Sequence, residues 1–341
     1  MKRKTITIRD VAAAAGVSHQ TVSRVINNRP DDSHKTRQRV NQIIKELGYQ
    51  PSAIARSLIN KRSFTLGIVT AGLQYAGPSL TLNGIIHQTE EQGYTLLLNS
   101  LPTFESHNIQ PLLNSLYARR VDGIIWAVPE ISNNRDWLQT LLLKLPIPII
   151  FLTMETRPIV SIISIDNYAG GCLAVKHLIE QGYQHIGHIS GPLDWWEARQ
   201  RKQAWEDTLH AEGRQTAENH WVQGNWSAKS GERAINQLLD IYTEMDAIFV
   251  ANDQMALGVL KVACQLGLQV PHELAIAGFD NLLESAYYWP PLTTIKQDFK
   301  QLGSIGVHKL VEVIESRRSG ETEIKPVHYS LQPELIVRGT T

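Results

Sequence analysis

The chain has 341 residues, 43% hydrophobic and 19% charged, enough apolar mass for a sizeable core and too much chain for one small domain. Its formal net charge is zero, yet residues 1–62 hold 13 Lys and Arg against 4 Asp and Glu, so a head of net +9 precedes a body of net −9. This split excludes an evenly charged globule and marks a nucleic-acid-binding module joined to something else.

The first residues, Met1-Lys2-Arg3-Lys4-Thr5, are basic but lead into no apolar signal-peptide core. Thr7-Ile8-Arg9-Asp10 reads as a capping box, followed by one apolar helical face at Ile8, Val11, Ala12 and Ala15. Gly16 supplies the left-handed turn that stops this helix, and Ser18 caps a second one with inner residues Val22, Val25 and Ile26. A third helix is capped near Ser33, carries Val40, Ile43, Ile44 and Leu47 on one face and stops at Gly48. Two short helices joined by a Gly turn predict a helix-turn-helix. The outer face of the second helix presents His19, Gln20, Ser23 and Arg24. Gln20 suits adenine N6 and N7, Arg24 suits guanine O6 and N7, and His19 can reach a base edge or a thymine methyl. Lys2, Arg3, Lys4, Lys35, Arg37 and Arg39 are candidates for phosphate contacts, which position without specifying.

Pro51 then suits a helix first turn, and Ala53, Ile54, Ala55 and Leu58 give an apolar face about two turns long. So short a helix is marginal alone and should form only when its twin pairs with it on DNA. Ile8–Asn27 resembles the helix-turn-helix of the lactose/galactose repressor family, and Gly48–Leu58 (GYQPSAIARSL) resembles that family's hinge helix. The resemblance covers essentially the whole chain. It implies a DNA-binding domain over 1–48, a hinge over 49–62 and an effector-binding, dimerising body over 63–341. It also implies DNA contacts from Ser18, His19, Gln20, Thr21, Ser23, Arg24 and Asn27, from Ser33 and Thr36, and from Ala55 and Leu58, with Leu58 wedged into the minor groove.

From Phe64 on, short β-like runs alternate with helical patterns. They are Leu66–Thr70, Thr95–Leu98, Gly123–Ala127 and Ile147–Leu152, then His185–Ser190, Ala247–Ala251 and Leu274–Gly278. The alternation predicts doubly wound parallel sheets, so the fold class is an all-α head on an α/β body. Leu66-Gly67-Ile68-Val69 echoes Ile186-Gly187-His188-Ile189, and Val121–Ile125 echoes Met245–Phe249 at nearly the same offset. Two copies of one lobe leave a cleft at the carboxyl ends of their strands. The family resemblance adds a periplasmic-binding-protein architecture in which the chain crosses between lobes more than once.

Candidate cleft residues stand where strands end. Asn252-Asp253 follows one strand; Asp253 suits the cap of the next helix and Asn252 is the better ligand donor. Asp280 ends another strand and can accept from two sugar hydroxyls. Arg199 opens a helix with a planar fork suited to vicinal hydroxyls. Tyr75, Trp195, Trp226 and Phe299 offer flat apolar faces, and Gln297 follows the run Thr293–Ile295. Val250–Leu260, Trp226–Gly231 and Pro290–Phe299 match the family closely, and by that likeness Arg199, Trp226, Asn252, Asp280, Gln297 and Phe299 map onto pocket positions. Thr153 and Ala127 stand where the likeness implies a carboxylate and an asparagine, and Trp195 and Trp196 replace small residues, so one side should be more aromatic and less polar.

Other classes fit worse. The nucleophile elbow, phosphate loop, zinc-protease and dinucleotide motifs are all absent, and the 12 histidines show no metal-ligand spacing. Cys172 and Cys264 suggest no disulfide framework. An exported sugar-binding protein would lack the basic head. The longest apolar run, Leu141–Leu152, is broken by Lys144, Pro146 and Pro148, which predicts a soluble cytoplasmic protein without membrane contact. The expectation is therefore a homodimeric regulator with no cofactor and no metal, reading a roughly palindromic operator and released by a neutral sugar or glycoside. Val327–Val337 reads as strand rather than leucine heptads, which predicts a dimer and not a tetramer. The family resemblance implies Met255–Leu266 and Tyr287-Tyr288-Trp289 as candidates for the dimer contact.

Overall fold

The computed structural model describes residues 6–26, 33–49, 62–104, 109–141, 145–321 and 325–341. They belong to two compact units, 1–64 and 65–341.

The first unit holds α1 (Ile8–Ala15), α2 (His19–Ile26) and α3 (His34–Leu47). The Asp10 carboxylate accepts from both the amide and the hydroxyl of Thr7 at 2.7 Å, which fixes the first turn. Gly16 and Gly48 adopt φ of 59° and 62°, a left-handed geometry that glycine reaches without a Cβ clash. Ser18 and Ser33 accept from Thr21 N and Thr36 N at 3.1 and 3.2 Å, capping α2 and α3. Val11, Ala12, Ala15, Val22, Val25 and Val40 form the core, with Tyr49 packed on it and bonded to Ile44 O. Tyr49, placed in the hinge by sequence, thus packs with the head. Asn27 and the hinge residues Pro51, Ala53, Ile54, Ala55 and Leu58 lie outside the described residues.

The second unit runs β1 (Thr65–Thr70), α4 (Ala76–Glu91), β2 (Thr95–Ser100), α5 (Gln110–Ala118), β3 (Gly123–Ala127), α6 (Leu138–Leu141), β4 (Ile149–Leu152) and β5 (Ser161–Ile165). It continues through α7 (Asn167–Glu180), β6 (Ile186–Ser190), α8 (Trp196–Ala211), β7 (Trp221–Gln223), α9 (Ala228–Ile241), β8 (Ala247–Val250), α10 (Asp253–Leu266) and β9 (Ala275–Asp280). Last come β10 (Thr293–Lys296), α11 (Phe299–Arg318), β11 (His328–Leu331) and β12 (Glu334–Ile336). One sheet has the order β11-β5-β4-β3-β1-β2 and the other β12-β10-β9-β8-β6-β7. Position for position, β1–β5 correspond to β6–β10. The two sequence echoes fall on β1 with β6 and on β3 with β8, which occupy the same places in their sheets. Only the β10–β12 ladder is antiparallel among the described pairs.

The chain crosses between lobes after β5, after β10 and between β11 and β12. Helix α7 packs on β9 and β10, while α11 returns to pack on α4, β3, β4 and β5. Both helical crossovers start on an aspartate cap: Asp166 accepts from Ala169 N and Asp298 from Gln301 N, each at 2.8 Å. Helices α4 and α11 nearly touch, since a Cβ on Gly84 would sit 2.1 Å from Lys300 O. That contact holds the start of α11 against the mouth of the cleft. Sequence reading missed β5, whose apolar run is interrupted by Ser164, and the three-residue edge strand β7. It also merged β11 and β12, which belong to different sheets. No helix among the described residues is long and apolar enough to cross a membrane.

Candidate functional site

The head offers one polar helix face. Val22 and Val25 of α2 are buried, while His19, Gln20 and Arg24 are exposed and Thr21 and Ser23 are half-buried beside them. The 3.6-residue period produces this division, because the residues opposite the core face must meet solvent or a ligand. Ser33 is exposed and Thr36 half-buried at the start of α3, with their hydroxyls 2.9 Å apart. Free amides at two helix starts and nearby cations favour phosphate. The α2 face itself carries the amide and guanidinium groups that pair with base edges.

Between the lobes lies a cleft of about 760 Å³, counted out to its open mouth. It opens at the carboxyl ends of the strands, as doubly wound sheets dictate. The first lobe contributes Tyr75, Pro78, Ala127, Leu152 and Thr153, and α11 adds Phe299 and Leu302. The second lobe contributes Asn167, Trp195, Glu197, Arg201, Trp226, Asn252, Asp280 and Gln297. Three of these residues, Thr153, Trp226 and Asp280, adopt positive φ (57°, 71° and 110°), a cost to non-glycine residues that folds tend to retain at binding sites.

Tyr75 and Trp195 start α4 and α8 from equivalent places in the two lobes, and their rings meet edge-to-face at 5.4 Å. Trp195 also packs edge-on against Trp226 at 5.7 Å and Phe104 at 5.0 Å. Trp226 stays close to the strand end because Gly191 faces it; a Cβ there would lie 2.1 Å from the indole. The lobes are clasped beside these rings. Ile131 and Trp195 form an isolated antiparallel bridge, with Ser132 N donating to Asp194 O and Trp196 N to Glu130 O, at 2.8 and 3.0 Å.

The polar floor belongs to the second lobe. Asp280 Oδ1 accepts from Gln297 Nε2 at 2.7 Å and lies 3.6 Å from Arg201 Nη1. Arg201 donates from Nε to Asn167 Oδ1 at 2.9 Å and from Nη1 to Ala251 O, and its guanidinium stacks 3.9 Å over the Phe279 ring. Burial pushes the Asp280 carboxyl up to about 6 against the opposing pull of Arg201 and Gln297. Beneath it Asp253 is fully buried, accepting from Thr294 Oγ1 at 2.6 Å and Leu282 N at 2.8 Å. Burial first and the Asp280 charge second raise it to about 7.

Seven of the eight sequence candidates thus meet in the cleft: Tyr75, Trp195, Trp226, Asn252, Asp280, Gln297 and Phe299. Arg199 does not. It is exposed and its Nη1 donates outward to Leu193 O and Asp194 O. Two residues apart on a helix are about 200° apart, so only one of Arg199 and Arg201 can face inward. Arg201 shares the buried face with Ala198, Ala204 and Trp205, a periodicity that could have identified it from sequence. The assignments of Asn252 and Asp253 also exchange. Asn252 caps α10 by accepting from Met255 N, and its Nδ2 donates to Trp226 O and Gln254 Oε1, while Asp253 ties strand ends together. Asn252 lines the cleft with its amide already engaged. Glu197 and Asn167 line it too and were not singled out by sequence.

Residues 7–52 match the family described as bacterial regulatory proteins, lacI family, and residues 175–341 match the periplasmic binding protein-like domain. The lactose operon repressor of Escherichia coli (strain K12) is 32% identical over 338 residues, spanning 99% of this chain and 91% of that protein. The HTH-type transcriptional repressor PurR of Haemophilus influenzae (strain PittEE) is 35% identical over 339 residues, 97% of each chain. Among solved structures, the lac repressor dimer bound to operator and the anti-inducer ONPF superposes with a TM-score of 0.85 at 32% identity over 99% of both chains. The complex of transcriptional regulator CelR with cellobiose gives 0.71 at 29% identity, over 98% of this chain and 100% of that one. Likeness of this extent carries the head, the two lobes and the cleft together. The chain belongs to the lacI family of bacterial regulatory proteins and is a DNA-binding transcriptional repressor rather than an enzyme.

Proposed function

We propose that this repressor controls sugar-utilisation genes and leaves its operator when a neutral saccharide or glycoside fills the interlobe cleft. The observation that carries this reading is the Asp280–Arg201 pair in a cleft walled by Trp195 and the Tyr75 and Trp226 rings set edge-to-face against it. Gln297 occupies one oxygen of Asp280, and Arg201 commits Nε and Nη1 to the chain, which leaves an acceptor beside the donor Nη2. Vicinal hydroxyls need that combination. Trp195 meets Tyr75 at 78° and Trp226 at 73°, so Trp195 forms no parallel pair with either neighbour to sandwich a flat base. A puckered ring with C–H groups on several sides suits such walls better. The cellobiose complex of a similar chain supports the same chemistry.

Operator readout falls to His19, Gln20, Thr21, Ser23, Arg24 and Asn27, with Ser33 and Thr36 on the backbone side. Residues 49–62 act as the hinge, which pairs with that of a second copy on a roughly palindromic site and from which Ala55 and Leu58 contact the DNA. The protein works as a homodimer whose contact includes Leu257, Leu266, Tyr287 and Trp289, all exposed in the single chain. Effector binding shifts a lobe equilibrium, and it does so only as far as the two states differ in affinity.

The test is a thermal-shift panel of neutral mono- and disaccharides, glycosides, purine bases and sugar phosphates, followed by operator-release titration of each hit. A neutral sugar should raise the melting temperature by mass action and release the operator. Hits confined to purine bases or sugar phosphates overturn the sugar reading.

A further inference from the structure

The cleft wall holds one carboxyl that the chain leaves unanswered. Glu197 lies in the first turn of α8, four residues before Arg201 on the same inward face, and is only 8% exposed. Its Oε2 is buried with no hydrogen-bond partner among the described residues. The neighbouring acids differ: Asp253 has both oxygens bonded, and Asp280 has Gln297 and Arg201. An unsatisfied buried carboxyl is costly and calls for a partner that the folded chain does not itself supply.

The surroundings narrow what that partner is. Burial chiefly disfavours the ionised form of Glu197; its own backbone amide, Arg201 and Arg135 favour that form, and Glu130 opposes it. Neither guanidinium bonds to it. Arg135 donates to Val128 O and Asn134, and Arg201 to Asn167 and Ala251 O. Glu130 is itself paired with Arg157. Glu197 therefore has cations nearby but accepts from no other residue's donor, and Oε2 is left without a partner among the described residues. A hydroxyl supplies the missing donor at no charge, whereas a phosphate would face Glu197 and Asp280 together. Rotation about the last bond of a glutamate is soft, so either oxygen can turn toward the cleft.

We propose that Glu197 is a specificity-determining residue of the cleft, accepting a hydrogen bond from one hydroxyl of the bound saccharide and selecting among sugars that differ there. This rests on the neutral-sugar reading above. Two of the three groups that would grip the sugar, Asp280 and Arg201, are explained by each other; Glu197 is explained by the ligand.

The experiment is a mutant cycle between protein and sugar. The probe is whichever of cellobiose, lactose and methyl β-glucoside binds the wild type most tightly in calorimetry, together with its complete set of monodeoxy derivatives. At pH 8, above the value of about 7 to which burial raises the carboxyl, Glu197→Ala should weaken the parent sugar by about ten- to a hundredfold, the range for a hydrogen bond to a charged group. One deoxy derivative should bind the wild type equally weakly and lose nothing further in Glu197→Ala, while the other derivatives lose affinity additively. Glu197→Gln, which keeps an acceptor, should recover part of the loss. Both variants should melt no lower than the wild type without sugar, because the unanswered carboxyl is gone. Parent-sugar binding unchanged in Glu197→Ala, or additive losses for every derivative, overturns the proposal and leaves the sugar reading standing. Failure of all three probes and of the wider saccharide panel removes both.

Discussion

The two lobes share strand order, crossover caps and even the aromatic residue that starts the first helix, yet they contribute opposite chemistry to the cleft. Directly after β4 stands Thr153; the equivalent β9 ends on Asp280, and both have positive φ. β3 ends on Ala127, followed by Val128; after β8 come Ala251 and Asn252. The first lobe thus provides an apolar lid and the second a charged floor. A duplicated architecture fixes where a cleft forms, and a few residues at strand ends decide what each wall says to a ligand.

The largest test of this division is at the floor. Arg201→Ala leaves Asp280 buried beside no cation and should destabilise the protein by about 3–5 kcal/mol in chemical denaturation. Arg199→Ala should change stability by less than about 0.5 kcal/mol and leave sugar affinity intact. Similar losses for the two variants would return Arg199 to the cleft.

Asp280→Asn should weaken saccharide binding by about 1.5–3 kcal/mol while operator affinity stays at the wild-type value. Titration with tryptophan fluorescence and operator release read together separates the two. Arg24→Ala in the head should do the reverse, costing about 1–3 kcal/mol on operator DNA and much less on random DNA at one fixed salt concentration. Equal losses on both DNAs would make Arg24 a phosphate contact.

A smaller effect is expected at the lid. Thr153 is β-branched at φ 57°, a conformation that asparagine tolerates better. Thr153→Asn should raise stability by up to about 1 kcal/mol. A drop in melting temperature would show that the threonine methyl packs too well to lose.

The last effect is one of pH. Glu197 is raised by burial from its ordinary 4.5 to about 7, so the folded state holds its proton more tightly than the unfolded state does. Its stabilising contribution is full below about 4.5 and is lost as pH rises through about 7. His188, lowered by burial to about 3, acts oppositely below its ordinary 6.5. The difference between wild type and Glu197→Gln isolates the glutamate: the wild type should lose ground relative to the variant between pH 5 and 8. Parallel melting curves across that range would contradict the raised value.

Much of this was legible in the sequence for a physical reason. The caps at Thr7, Ser18 and Ser33 and the glycines at 16 and 48 are local signals, read within a few residues. The echo between β1 and β6 is a pattern of buried strands, where apolar side chains are required by the sheet. Asp280 and Gln297 stood out because one ends a strand and the other directly follows one. The choice between Arg199 and Arg201 needed helical phase rather than motif. Glu197 gave no signal, since a glutamate in the first turn of a helix is ordinarily a solvated partner of the helix dipole. What makes it unusual is the opposite lobe closing over it, and that contact is not written in neighbouring residues.

The clasp between Glu130–Ser132 and Asp194–Trp196 has a consequence for how such a protein diversifies. Its two hydrogen bonds run from backbone amide to backbone carbonyl, so nearly any side chain can occupy these positions without unfastening it. Trp195 can be exchanged for a smaller or a polar residue, and the cleft wall is redrawn while the lobes stay buckled. Proline at 196 is the exception: it fits the first position of α8 but removes the amide that reaches Glu130. Ligand preference is therefore free to drift along this edge, and the fastening between the lobes does not drift with it.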